Sequence, residues 1–190
     1  MNMNKLLPDL LPGFEKYLLE HFEDYQEVHT AYLCALDVLR QTLGESEGPS
    51  VEEVKEAINR QTRSNLLFSG ALGLKANLEH FRDPLAPTVL DVDFQVFLRE
   101  KEARTLPEYQ QAQAVLSRFY RLLTPLQQEL YVPVVEYISC LETLAPKLAH
   151  FQGYLLGDSL LSSLVPGYKP DPELTERYRS MVNHYLGTEI

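Results

Sequence analysis

Tyr25, His29 and Tyr32 are the side chains in this chain whose types and spacing come nearest to a chemical site. Steps of four and three residues put all three on one stripe of a helix. A histidine between two phenols can serve as a general base or a ligand contact, because its imidazole exchanges a proton near neutral pH. The alternative is a packed histidine hydrogen-bonded to a neighbour, and the sequence favours it. No Ser or Cys nucleophile stands beside His29, and Cys34, five residues on, falls on a different face. Gly70 and Gly73 join the three as candidate ligand-binding residues, because small residues can open space between helices. They also suit packing alone. In that case the large Tyr25 and Tyr32 face the small run Ser69-Gly-Ala-Leu-Gly73 of a second helix.

A metal centre is not expected. Carboxylate-bridged sites in helical bundles need Glu-x-x-His twice, since that spacing turns both ligands to one face. The residues three before the five histidines are Leu18, Gln26, Asn77, Lys147 and Met181, none of them acidic. The nearest pairs are His21 with Asp24 and His80 with Asp83, and these read as solvated surface pairs. No cofactor is called for, and no glycine-rich phosphate loop is present.

Gly157-Asp158-Ser159-Leu160 spells the block that opens the lipases and esterases named for those four letters. In that family the serine follows a strand near the N-terminus of an α/β domain, and an Asp-x-x-His lies far downstream. Here no strand pattern precedes it, 31 residues follow Ser159, and Met181 stands three before His184. Out of its structural context the tetrapeptide carries no hydrolase chemistry. Gly157 reads instead as a helix end or kink, with Asp158 or Ser159 capping a last short helix. Arg118-Phe-Tyr-Arg121 interleaves aromatics with positive charge as a base-stacking surface does. The acidic chain around it argues against nucleic acid.

The elements that must position these residues are helical throughout. Leu18, Phe22, Tyr25, His29, Tyr32, Leu36, Leu39 and Leu43 form a stripe along a helix predicted between Gly13 and Gly44. Ser50 and Glu53 have the capping-box spacing and open a second helix, carried by Val54, Ile58, Leu66, Leu67, Leu74, Leu78 and Phe81 to Pro84. A connector over 83–92 leads to a short helix from Asp93 to about Arg104. A long helical segment then runs from Pro107 to about Leu164, with Val115, Phe119, Leu122, Leu126, Leu130, Val134, Tyr137 and Leu141 at helical spacing. Pro125, Pro133 and Pro146 interrupt it. Thr124 with Gln127 reads as a capped restart, and the other two prolines as kinks. Asp171 and Pro172 open the last helix, whose stripe is Leu174, Tyr178, Met181 and Tyr185, and Gly187 closes it.

These patterns predict an all-α fold. It is expected to be a single-domain helical bundle over 1–190, with five to seven helices, two of them long, a proline-kinked segment in the C-terminal half and an N-terminal arm over 1–12. With 45% hydrophobic residues the chain can bury a real core. Lys and Arg total 17 against 27 Asp and Glu, a formal net charge of −10 that repels phosphate backbones and anionic lipid. Nucleic acid and membrane are excluded as partners on that ground. No run approaches the ~20 apolar residues of a spanning helix. The opening MNMNKLLPDLLPGF, broken by Pro8, Asp9 and Pro12, is not a signal peptide. Cys34 and Cys140 match no metal spacing and are expected as buried free thiols, which points to the cytoplasm. Eleven tyrosines and an acidic surface suit a protein-interaction or structural module without catalysis, with a protein partner or self-association as a homodimer. The alternative is a small-ligand- or metal-binding bundle with a pocket near His29.

Overall fold

The computed structural model describes residues 16, 19–20, 23–43, 49–85 and 103–185. Among them every regular element is helical: α1 (Glu23–Thr42), α2 (Val51–Arg82), α3 (Pro107–Leu122), α4 (Pro125–Leu130), α5 (Val132–Leu164) and α6 (Pro172–Tyr185), with a 3₁₀ turn at Ala103–Thr105. Joined at Tyr131, α4 and α5 make one bent helix of 40 residues, so the described fold is all-α with five helices. None of these helices is long and apolar enough to cross a membrane. The 1–12 arm, the 86–92 part of the connector, the body of the 93–104 helix and Gly187 lie outside the described residues, as do Leu18 and the side chain of Phe22.

Local chemistry sets the helix starts. The Ser50 hydroxyl accepts from the Glu53 N–H (3.2 Å) while the Glu53 carboxylate accepts from the Ser50 N–H (2.7 Å). This capping box satisfies two otherwise orphaned donors. Thr124 and Gln127 make a second one, which starts α4 with Pro125 in its first turn. Asp171 Oδ1 accepts from the N–H groups of Glu173 (2.9 Å) and Leu174 (3.0 Å) and starts α6.

The chain divides into two compact units. One comprises Leu11–Ser64 and Arg104–Thr143. Its core takes Tyr25, Tyr32, Leu36 and Leu39 from α1, Val54 and Ile58 from α2, and Ala112, Leu116 and Phe119 from α3. The chain leaves α3 in extended conformation at Leu123 (φ −72°, ψ 137°) and at Thr124 (φ −64°, ψ 160°). That break shifts the helical phase. Leu123 and Tyr131 are buried, whereas Leu122 and Leu126, expected on the seam, are 51% and 69% exposed. Extrapolating one helix across a capped restart puts the wrong residues inside.

The other unit comprises Met1–Leu10, Asn65–Ala103 and Leu144–Ile190. Here α2 and α5 meet backbone to backbone. A Cβ on Gly73 would lie 1.9 Å from the His150 carbonyl oxygen, and one on Gly153 would lie 2.1 Å from the Gly70 carbonyl oxygen. Only glycine permits that approach. Gly70 opposes Gly153, Gly73 sits against His150 and Tyr154, and Asn77 opposes Gly157, so from 70 to 77 and from 153 to 157 the two helices run parallel. The small run of α2 thus packs on residues 150–157 of α5, not on Tyr25 and Tyr32 as expected. Gly157 is inside α5 rather than at a helix end. It has no Cβ because the Asn77 amide fills that space, 2.5 Å from where the Cβ would be. Leu174 and Tyr178 bury the inner face of α6, and Tyr178 stacks on Tyr154 at 3.8 Å between centroids. Leu78 and Phe81, expected on the α2 stripe, are exposed.

Candidate functional site

Tyr25, His29 and Tyr32 share one face of α1, and α5 supplies a fourth ring. Tyr137 stacks on Tyr32 (4.2 Å, 14° between planes) and lies 5.5 Å from His29. The Tyr25 hydroxyl donates to the Tyr137 hydroxyl at 3.1 Å. His29 lies 6.0 Å from each of its tyrosine neighbours on α1 and is half-buried. Aromatic pairs of this kind add about 0.5–1.5 kcal/mol each beyond area burial. The three rings from α1 are therefore brought together, whereas Gly70 and Gly73 belong to the other unit and are occupied by the α5 backbone.

The remaining motifs resolve into local structure. The side chains of His21 and Asp24 lie outside the described residues. Asp83 Oδ1 accepts from the Leu85 N–H at 3.1 Å, closing the turn after α2. Ser159 is exposed within α5 and its hydroxyl donates to the Leu155 carbonyl at 3.2 Å. Of the two base-stacking candidates, Phe119 is core, packed 5.7 Å from Tyr131. Cys140 is half-buried, but Cys34 is exposed, against expectation, because it lies two residues from Leu36 and so across the helix from the buried stripe.

Two buried polar networks organise the units. In the first, the Glu142 carboxylate accepts from the Tyr109 hydroxyl and from Gln61 Nε2 (2.5 Å), and Gln61 Oε1 accepts from Gln113 Nε2 (2.8 Å). Burial raises the Tyr109 phenol pKa, and Glu142 raises it further. In the second, Asp158 is buried and accepts from Asn77 Nδ2 (2.8 Å), the Tyr168 hydroxyl (2.7 Å) and the Thr175 hydroxyl (2.8 Å). Its carboxylate ties α6 and the segment before it to α2 and α5. A buried carboxylate holding three donors is satisfied in place.

A concavity among the described residues lies elsewhere. A cleft of about 590 Å³ opens between α3 and the α4–α5 bend. Its apolar wall is Leu116, Tyr131, Ile138 and the half-exposed Tyr120, Val132 and Val135. Burial pushes the Tyr131 phenol up to about 12. The polar part of the lining is Gln113, Ser117, Gln128 and Glu136. None of Tyr25, His29, Tyr32, Gly70 and Gly73 lines it. The break at Leu123-Thr124 makes this cleft, because it turns α4 and the start of α5 back beside α3. Gln128 secures the break by donating to the carbonyls of Tyr120 (3.4 Å) and Leu123 (3.3 Å). Sequence periodicity missed Tyr120, Val132 and Val135. The available signal was that all three lie off the 116/119/123 and 131/134/137 seams while remaining large and apolar.

Compared with protein-family models, curated proteins and solved structures, the chain matches none.

Proposed function

We propose that this protein is a non-catalytic interaction module that docks a partner protein in the α3–α5 cleft. One observation carries the reading: Tyr120, Val132 and Val135 leave an apolar wall 43%, 50% and 50% exposed around a cleft of about 590 Å³. Contiguous exposed apolar surface rimmed by polar groups is what protein-docking sites present. The lining offers contact area and hydrogen-bond acceptors rather than a nucleophile paired with a base. The partner is another protein or, in a homodimer, a second copy. Free thiols and the acidic surface support a cytoplasmic setting.

A photo-crosslinking residue at position 135 tests this in cells. A discrete protein adduct, abolished by Val132→Asp and missing when the same group sits at the exposed Arg63, is the expected result. Indistinguishable adduct patterns at 135 and 63 would sink the reading. The cleft volume also lies within the ~300–1,000 Å³ of small-ligand pockets, which favours a second reading. A thermal-shift screen with saturating stabilisation abolished by Val135→Asp would carry that one instead.

A further inference from the structure

We infer that the cleft selects a cationic amphipathic helix, one whose apolar stripe covers Tyr120, Val132 and Val135 and whose lysine or arginine meets a ring of acceptors. The inference rests on the docking reading and adds the chemistry of the partner. It follows from the orientation of two amides. Glu142 is a carboxylate, so Gln61 must turn its Nε2 toward it and its Oε1 toward Gln113. Gln113 must then turn its own Nε2 to Gln61, because oxygen facing oxygen would repel. Gln128 faces two backbone carbonyls, so it too presents Nε2 to the protein. Both amides that line the cleft have spent their donors on the fold, and what each has left is its Oε1 acceptor.

Glu136 supplies the one charge in the lining, and it is negative. Ser117 and Tyr120 carry hydroxyls that donate or accept as required. The half-buried Glu142 carboxylate, acting through Gln61, thus sets which end Gln113 has left for the cleft. An anionic ligand would meet two amide acceptors and a repelling charge, whereas an ammonium or guanidinium group finds partners for its N–H donors. Arg118 and Arg121 also lie on α3 but outside the lining. A second copy of this chain fits less well. Each copy carries a formal −10, and apposing them sets like charge against like. A helix is the element that matches an apolar wall between two helices, as it packs along such grooves with its i, i+3, i+4, i+7 anchors.

The test uses the full chain and three labelled helical peptides with one common leucine stripe, flanked by two lysines, two glutamines or two glutamates. Anisotropy titration is expected to rank them Lys, Gln, Glu, with about tenfold or more between the ends. Glu136→Gln should weaken the lysine peptide by about threefold, whereas Glu173→Gln, an equal change in net charge on α6, should leave it unchanged. Val135→Asp should abolish binding of all three. Val135 is half-exposed, so Asp is tolerated there, and circular dichroism with Val132→Asp as a second variant guards against unfolding. If the three peptides bind alike but Val135→Asp abolishes them, the docking reading stands and the cationic preference is overturned. Equal effects of Glu136→Gln and Glu173→Gln overturn it as well. If no peptide binds, both fall. A wild-type dimer by sedimentation that Val135→Asp dissociates gives the cleft to a second copy, and dodecylamine binding without peptide binding gives it to a small amphiphile. Either overturns the inference.

Discussion

His150 has no exposed surface, and the rings of Phe151 and Tyr178 lie within 6.5 Å of it. Burial lowers its pKa from 6.5 to about 4, against an opposing pull from the Ser69 backbone. The native state therefore holds neutral imidazole while the unfolded chain still takes up a proton below pH 6.5. Unfolding binds the extra proton, so this residue costs nothing above pH 6.5, and stability falls as pH drops from 6.5 toward 4. The full span amounts to about 3 kcal/mol. Urea unfolding at pH 7.5, 6, 5 and 4 should show the loss, and His150→Gln should flatten it relative to wild type. Identical slopes for the two proteins would show that His150 is not the group responsible. The Glu142 network makes a second residue-scale prediction. Tyr109→Phe removes one of the donors to a carboxylate that keeps Gln61, and is expected to cost about 1–2 kcal/mol in the same assay. A cost within error would mean that solvent replaces the phenol. Neither residue was legible from spacing, because His150 and Glu142 acquire their roles from helices about 80 positions away in sequence.

The α2–α5 approach is decided by four glycines, and the reason only Gly70 and Gly73 read as packing residues is physical. Gly70 and Gly73 stand out in α2 as small residues costing helix propensity. In α5, Gly157 opens the tetrapeptide and reads as a helix end, and Gly153 belongs to no motif. Only the contact itself joins the two sets: rigid backbone oxygens lie where the Cβ atoms of Gly73 and Gly153 would be. Alanine at either position gains about 1 kcal/mol of helix propensity. It also forces two helix backbones apart, and overpacking of that kind costs about 1–3 kcal/mol or more against atoms that cannot rotate away. With that gain set against the upper end of the overpacking cost, Gly73→Ala and Gly153→Ala are each expected to destabilise by a net ~2 kcal/mol, whereas Ser159→Ala on the exposed face of α5 should stay within about 0.5 kcal/mol. Neutral glycine variants by chemical denaturation would contradict the close packing. The capping motifs at Ser50, Thr124 and Asp171 were readable beforehand because each is complete within four residues. The seam beyond Thr124 was not, since the cap that ends one helix also resets the phase of the next. The cleft followed from that same reset.

At the scale of the whole molecule, charge sets the response to salt. The chain carries a formal −10, and the ion pairs of Arg60 with Glu56, Lys75 with Glu79 and Arg179 with Glu176 are surface pairs. Each of those side chains is at least 42% exposed. Exposed pairs contribute a few tenths of a kcal/mol, and much of that is gained only at low salt. Repulsion among an excess of ten negative charges acts over the whole surface and is screened once the Debye length falls below ~10 Å. The larger effect should win. Raising sodium chloride from 0.02 to 0.5 M at pH 7.5 is expected to raise the thermal midpoint by a few degrees, as calorimetry would read. A cationic helix in the cleft must respond the other way, its affinity falling over the same range because its Glu136 contact is screened. The two opposed slopes, measured on one protein preparation, separate a charge effect on folding from a charge effect on binding. If the midpoint instead falls with salt, the surface pairs are stabilising the native state more than the net charge opposes it.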